Sequence, residues 1–196
     1  MTHQYGAVAS AYSAFKGVIF NPASKEALSQ LVGYLQQSGQ SPELLAEAQC
    51  YVDGPHELEF DFNRMCIGPY KLTVPPYESV YLSRHRELFT EETDQVADWY
   101  QELGLIPDGG LNEPADFIGH ELEFLYCLHA LKSEYTKQGH TDANIELDRM
   151  ANEFMQQHLG KWYQAFTSGM EREAKLKFWR LYAIALRQFL SSQLTH

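Results

Sequence analysis

With 196 residues, 44% of them hydrophobic and 21% charged, the chain has the composition of an ordinary globular domain, which excludes disordered, collagenous and low-complexity classes. Fifteen Lys and Arg stand against 26 Asp and Glu, a formal net charge of −11, so nucleic acid and anionic membrane surfaces are not expected partners. No apolar run approaches the roughly 18 residues that cross a bilayer, and residues 1–17 lack the basic and apolar regions of a secretory leader; a protein of the cytoplasm with no stable membrane insertion is expected.

In chain order, Ser24 is placed to cap a helix whose Leu28, Leu31, Val32 and Leu35 share one face, with Gly39 ending it. Ser41 and Pro42 then form an N-cap and first helical residue. Residues 57–62 alternate like a strand, yet Leu58, Phe62 and Met65 also make a helical stripe; with no partner strand in the sequence, the helix is preferred. Thr93 precedes Val96, Trp99, Tyr100 and Leu103, with Gly104 just beyond. Asn112 and Pro114 open a helix with the stripe Phe117, Phe124, Leu125, Leu128 and Leu131, closing near Gly139. Thr141 or Asp142 begins the next, with Ile145, Phe154, Met155 and Leu159 on one face. The last helix is the clearest, with Phe178, Leu181, Tyr182, Ala185, Leu186, Phe189 and Leu190 at 3-4 spacing. The pattern predicts an all-α fold, one compact helical-bundle domain over residues 1–196.

One segment breaks the helical pattern. Gly68, Pro69, Pro75 and Pro76 fall within ten residues, and proline removes a donor and forces its predecessor extended. A stiff connection results, and Tyr70, Leu72, Val74, Tyr77 and Tyr81 make it apolar. It either packs down on the bundle or presents a groove to a partner.

Chemistry-bearing motifs are sparse. No phosphate-cradling glycine loop or nucleophile elbow occurs, and Cys50, Cys66 and Cys127 have neither disulfide-framework nor zinc spacing. Asp116 and His120 stand four apart, a spacing that places both on one helix face; with Glu123 they form a thin candidate ligand set for a helical metalloenzyme, against a plain structural hydrogen bond. Between Arg86 and Lys132 no Lys or Arg occurs, while eleven carboxylates do, Glu113, Asp116, Glu121 and Glu123 among them. Such a run is either a solvated face or a receptor for a cationic ligand.

Two stretches together carry a family resemblance. Residues 68–81, with Gly68, Pro69, Pro75, Pro76, Tyr77, Ser79, Val80 and Tyr81 at fixed spacing, resemble the G-P-x-x-x-x-x-P-P-[YW]-x-S-V-[YW] segment of the TorD/DmsD/NarJ family of molybdoenzyme maturation chaperones. Glu113, Pro114 and Asp116, followed by a leucine-rich helix, resemble its E-P-x-D-H signature, except that Phe117 stands where the family usually has His and the nearest histidine is His120. The resemblance implies a non-enzymatic chaperone. It would bind the twin-arginine leader of a molybdopterin-dependent reductase subunit and hold it for cofactor insertion before export. By the same resemblance Gly68, Pro69, Tyr70, Leu72, Pro75, Pro76, Tyr77, Ser79, Tyr81, Glu113, Pro114, Asp116, Phe117, His120 and Glu123 are the candidate leader-binding residues. No metal or cofactor is expected beyond weak guanine nucleotide binding, and monomer and dimer both stay open. The alternative is a constitutive helical adaptor or assembly subunit of a larger complex.

Overall fold

A computed structural model describes residues 6–69, 71–105 and 113–194. Among them are α1 (Ala7–Phe20), α2 (Lys25–Ser38), α3 (Pro42–Gln49), α4 (His56–Cys66), α5 (Glu78–Leu82), α6 (Glu91–Glu102), α7 (Ile118–Gln138), α8 (Thr141–Gln157), α9 (Leu159–Glu173) and α10 (Lys177–Leu194). No strand occurs among the described residues, only an isolated antiparallel bridge between Tyr77 and Phe117. The all-α expectation holds, as does the choice of helix over strand at residues 57–62.

Several boundaries follow the sequence punctuation. Ser24 Oγ accepts from Ala27 N–H at 3.1 Å, and Gly39 and Gly139 end their helices with φ of 66° and 77°, a left-handed cap that glycine adopts without a Cβ clash. Other boundaries differ from the sequence reading. Ser41 sits at φ 49° and does not cap α3 through its side chain, and Thr93 is buried inside α6 while Thr90 precedes it. The long helix begins at Ile118, not at Pro114, because residues 113–117 are taken up in tertiary hydrogen bonds described below; Asn112 lies outside the described residues. Ile145 is 64% exposed, so the buried face of α8 is Leu147, Met150, Ala151, Phe154 and Met155. That helix stops at His158, and a separate α9 follows.

Composition signals no internal boundary, yet the contacts group the chain into two units, Met1–Ser13 with Tyr77–Lys161 and Ala14–Pro76 with Trp162–His196. In the first unit α7 and α8 run antiparallel, tied where Lys132 Nζ meets Asp148 Oδ1 at 2.6 Å and Asn144 Nδ2 donates to Thr136 Oγ1 at 2.9 Å. Phe124 and Phe154 meet across this pair at 4.6 Å, and Tyr100 lies 5.3 Å from Phe124. Such aromatic contacts add specific geometry to a large buried area.

In the second unit α10 supplies Phe178, Trp179, Tyr182 and Leu186, all fully buried. Their polar tips are satisfied: Trp179 Nε1 donates to Leu58 O at 2.9 Å, and Tyr182 OH donates to Phe15 O at 2.8 Å. Asp61 ties the joint between α9 and α10. Its Oδ2 accepts the Lys175 and Leu176 N–H groups at 2.9 and 2.8 Å, and its Oδ1 accepts from Arg64 Nη2 at 2.7 Å. Arg64 Nη2 also donates to Glu173 O at 2.7 Å.

Candidate functional site

In the first unit the end of the first signature segment, from Tyr77 on, meets the second. Glu78 N–H donates to Asp116 O at 3.1 Å, which, with the Tyr77 to Phe117 bridge, pairs residues 77–78 with residues 116–117. Pro114 fixes its own φ and biases Glu113 toward extended backbone. The turn that follows is bonded at nearly every group. Phe117 N–H donates to Pro114 O at 3.1 Å, and Tyr100 OH donates to Ala115 O at 2.8 Å. His120 Nδ1 reaches Pro114 O at 3.0 Å; since a carbonyl only accepts, that nitrogen carries the proton. Asp116 Oδ2 accepts Ser79 N–H at 2.8 Å and so caps α5. Tyr77 OH donates to Glu113 Oε2 at 2.7 Å.

Asp116 and His120 therefore do not share a helix face. Asp116 precedes α7 and points to Ser79, whereas His120 lies in the first turn and points back to Pro114. Glu123 Oε1 faces Cys127 Sγ at 3.7 Å. These three separate engagements do not assemble the ligand set weighed from the sequence, and among the described residues no group of three His, Cys, Asp or Glu is arranged to hold a metal ion. Phe117, in the family's histidine position, is buried with its ring 6.0 Å from Tyr77 and 5.5 Å from His120.

The acidic run is not one surface. Asp116 and Glu121 are fully buried, and Glu78, outside the run, is 1% exposed. Burial pushes the Tyr100 hydroxyl well above its ordinary pKa, and the Glu121, Asp116 and Glu78 carboxyls push it further the same way. Glu78 Oε1 and His158 Nδ1 share a hydrogen bond of 3.0 Å, a link between residues 80 apart in sequence that no local pattern signals. Glu78, Tyr100, Glu121 and His158 are the participants sequence reasoning missed. By contrast Glu91, Asp94, Asp98 and Glu102 on α6 are exposed. Asp108 lies outside the described residues.

Of the remaining candidates, Ser79 is buried, Tyr81 is half-buried with Arg86 6.0 Å over its ring, and Pro114 and Glu113 are half-buried. Tyr70 lies outside the described residues. Gly68, Pro69, Leu72, Pro75 and Pro76 belong to the second unit. There Gly68 takes φ 102° after α4, Pro69 is exposed, Leu72 is half-buried, and Pro75 and Pro76 are buried. Val74 N–H donates to Met65 O at 3.0 Å. A Cβ on Gly169 would meet Val74 Cγ1 at 3.5 Å. Of the two alternatives for the proline segment, its residues 74–77 pack down.

What these segments build is a hydrogen-bonded helical site in which residues 77–79 are held against the turn at residues 113–117. The chain belongs to the nitrate reductase delta subunit family, whose model matches residues 20–168, and the resemblance to the TorD, DmsD and NarJ group is borne out. A chaperone protein TorD of Aliivibrio salmonicida is 30% identical over 123 residues, 62% of this chain and 55% of that protein. A Tat proofreading chaperone DmsD of Salmonella typhimurium is 40% identical over 58 residues, 30% of this chain and 28% of that protein. Both relatives are chaperones by name. The chain spans about half the length of the TorD relatives it matches. A solved structure from Archaeoglobus fulgidus, assigned provisionally to redox enzyme maturation, shares the fold with a TM-score of 0.64 at 20% identity, covering 97% of this chain and 96% of that one.

Proposed function

We propose that this protein is a redox-enzyme maturation chaperone of the cytoplasm that binds the twin-arginine leader of a molybdopterin-dependent reductase subunit and holds it while cofactor is inserted. The observation that carries this reading is the turn at residues 113–117. It is fixed by the bonds to Tyr77, Ser79, Tyr100 and His120 and carries a half-buried carboxylate, Glu113, that has no cationic partner among the described residues. A leader's arginine supplies the missing countercharge. Exposed ion pairs contribute only about 0–1 kcal/mol each, so the apolar part of the leader has to supply most of the affinity and the carboxylates orient it. In the same unit Leu88 and Phe89 are 42% and 73% exposed, apolar surface available for that purpose. No cofactor of its own is assigned to the protein in this reading.

Calorimetric titration with a synthetic twin-arginine leader peptide, and with the same peptide carrying glutamine at both arginines, tests it. Binding of the arginine peptide at least tenfold tighter than the glutamine peptide is expected; equal affinities, or none for either, overturn the assignment.

A further inference from the structure

The apolar segment around Tyr77 suggests from sequence that this ring is a contact surface for a ligand. The structure assigns it another task. Tyr77 is 8% exposed, its ring lies against Phe117, and its hydroxyl is the partner of Glu113 Oε2. We propose that Tyr77 is a positioning residue: it holds the Glu113 carboxylate in one orientation so that the other oxygen, Oε1, faces an incoming guanidinium. This rests on the leader-binding reading above and goes beyond it by naming what orients the anionic anchor.

The geometry favours such a role in three ways. Tyr77 is itself immobilised, by burial and by the backbone bridge to Phe117, so its hydroxyl is a fixed point. Glu113 is half-buried on a backbone that Pro114 stiffens, and Oε1 has no partner among the described residues. An untethered glutamate side chain loses substantial rotamer freedom when it is fixed by a ligand, whereas a tethered one has lost it already. One carboxylate oxygen spent on a neutral donor leaves the negative charge in place for a single, directed, charge-assisted bond.

The test is a mutant cycle read by calorimetry with the two leader peptides. Tyr77→Phe keeps the ring and removes the hydroxyl. Affinity for the arginine peptide is expected to fall about fivefold, the scale of one net hydrogen bond, with affinity for the glutamine peptide unchanged. In a Glu113→Gln background the same substitution is expected to have no further effect on the arginine peptide. Glu113→Asp provides an arm that leaves Tyr77 intact: it keeps the charge but is one methylene too short to reach the hydroxyl, and the same fivefold loss is expected. Equal loss for both peptides, or an undiminished Tyr77→Phe effect in the Glu113→Gln background, would mean that the hydroxyl serves packing alone and would overturn the inference. So would wild-type affinity in both Tyr77→Phe and Glu113→Asp, while the leader-binding reading survived through the parent protein's discrimination of the peptides. A parent protein that fails to discriminate them overturns both.

Discussion

Asp116 distinguishes a hydrogen-bond role from a charge role by the relative size of the effects of two substitutions. Its side chain is fully buried, and Oδ2 caps Ser79 N–H at 2.8 Å. Ser79 is the second residue of the five-residue α5, so its N–H has no partner inside the helix. Asp116→Ala removes the cap, which costs about 0.5–2 kcal/mol, and strands a buried donor, which costs about 1–3 kcal/mol. The two ranges describe one bond, so the expected loss is about 2 kcal/mol, or a melting point lower by about 4–8 °C in a chain of this size. Asp116→Asn keeps an acceptor oxygen at the same N–H. Its amide nitrogen replaces Oδ1, which has no partner among the described residues, and a formal charge leaves an interior that also holds Glu78 and Glu121. The asparagine variant should therefore melt within about 2 °C of the parent. Calorimetric melts of the three proteins in one buffer decide the matter. If asparagine proves as harmful as alanine, the fold needs the charge itself and the hydrogen-bond account is wrong.

Two further outcomes follow from the packing. His129 stacks on Tyr12 at 5.5 Å, and its pKa is held down to about 4 chiefly by burial, with Lys132 adding to the effect and Asp148 opposing it. The unfolded chain takes up this proton near pH 6.5, so the residue's contribution is complete above about pH 6.5 and disappears as pH falls toward 4; His129→Gln should flatten the decline of urea midpoints across that window, and an unchanged slope would contradict it. Asp61→Ala strands the Lys175 and Leu176 N–H groups and the Arg64 guanidinium, for an expected loss of about 3 kcal/mol, at the low end for a buried pair because Arg64 reaches solvent; denaturant unfolding that shows a loss under about 1 kcal/mol would count against the knot.

The sequence by itself determined the helical class and most of the punctuation. A 3-4 stripe such as that of α10 has one burial solution, and Ser24, Gly39 and Gly139 act on backbone groups within a few residues of themselves. It also carried the two signature segments, since their spacing is a property of the chain. What only the tertiary structure decided is how those segments are used. Over residues 113–117 the expected helix yields to a tied turn because Asp116 and Pro114 spend their acceptors on Ser79, Glu78 and His120, bonds that no periodicity encodes. The acidic run divides in the same way: α6 keeps Glu91, Asp94, Asp98 and Glu102 in water, while Asp116 and Glu121 go inside. Tyr77 reads as an apolar residue in a greasy segment, and folding brings its one polar atom to Glu113. Local patterns record which face a residue turns inward; the partner it meets there depends on chain segments tens of residues away, and only packing brings them together.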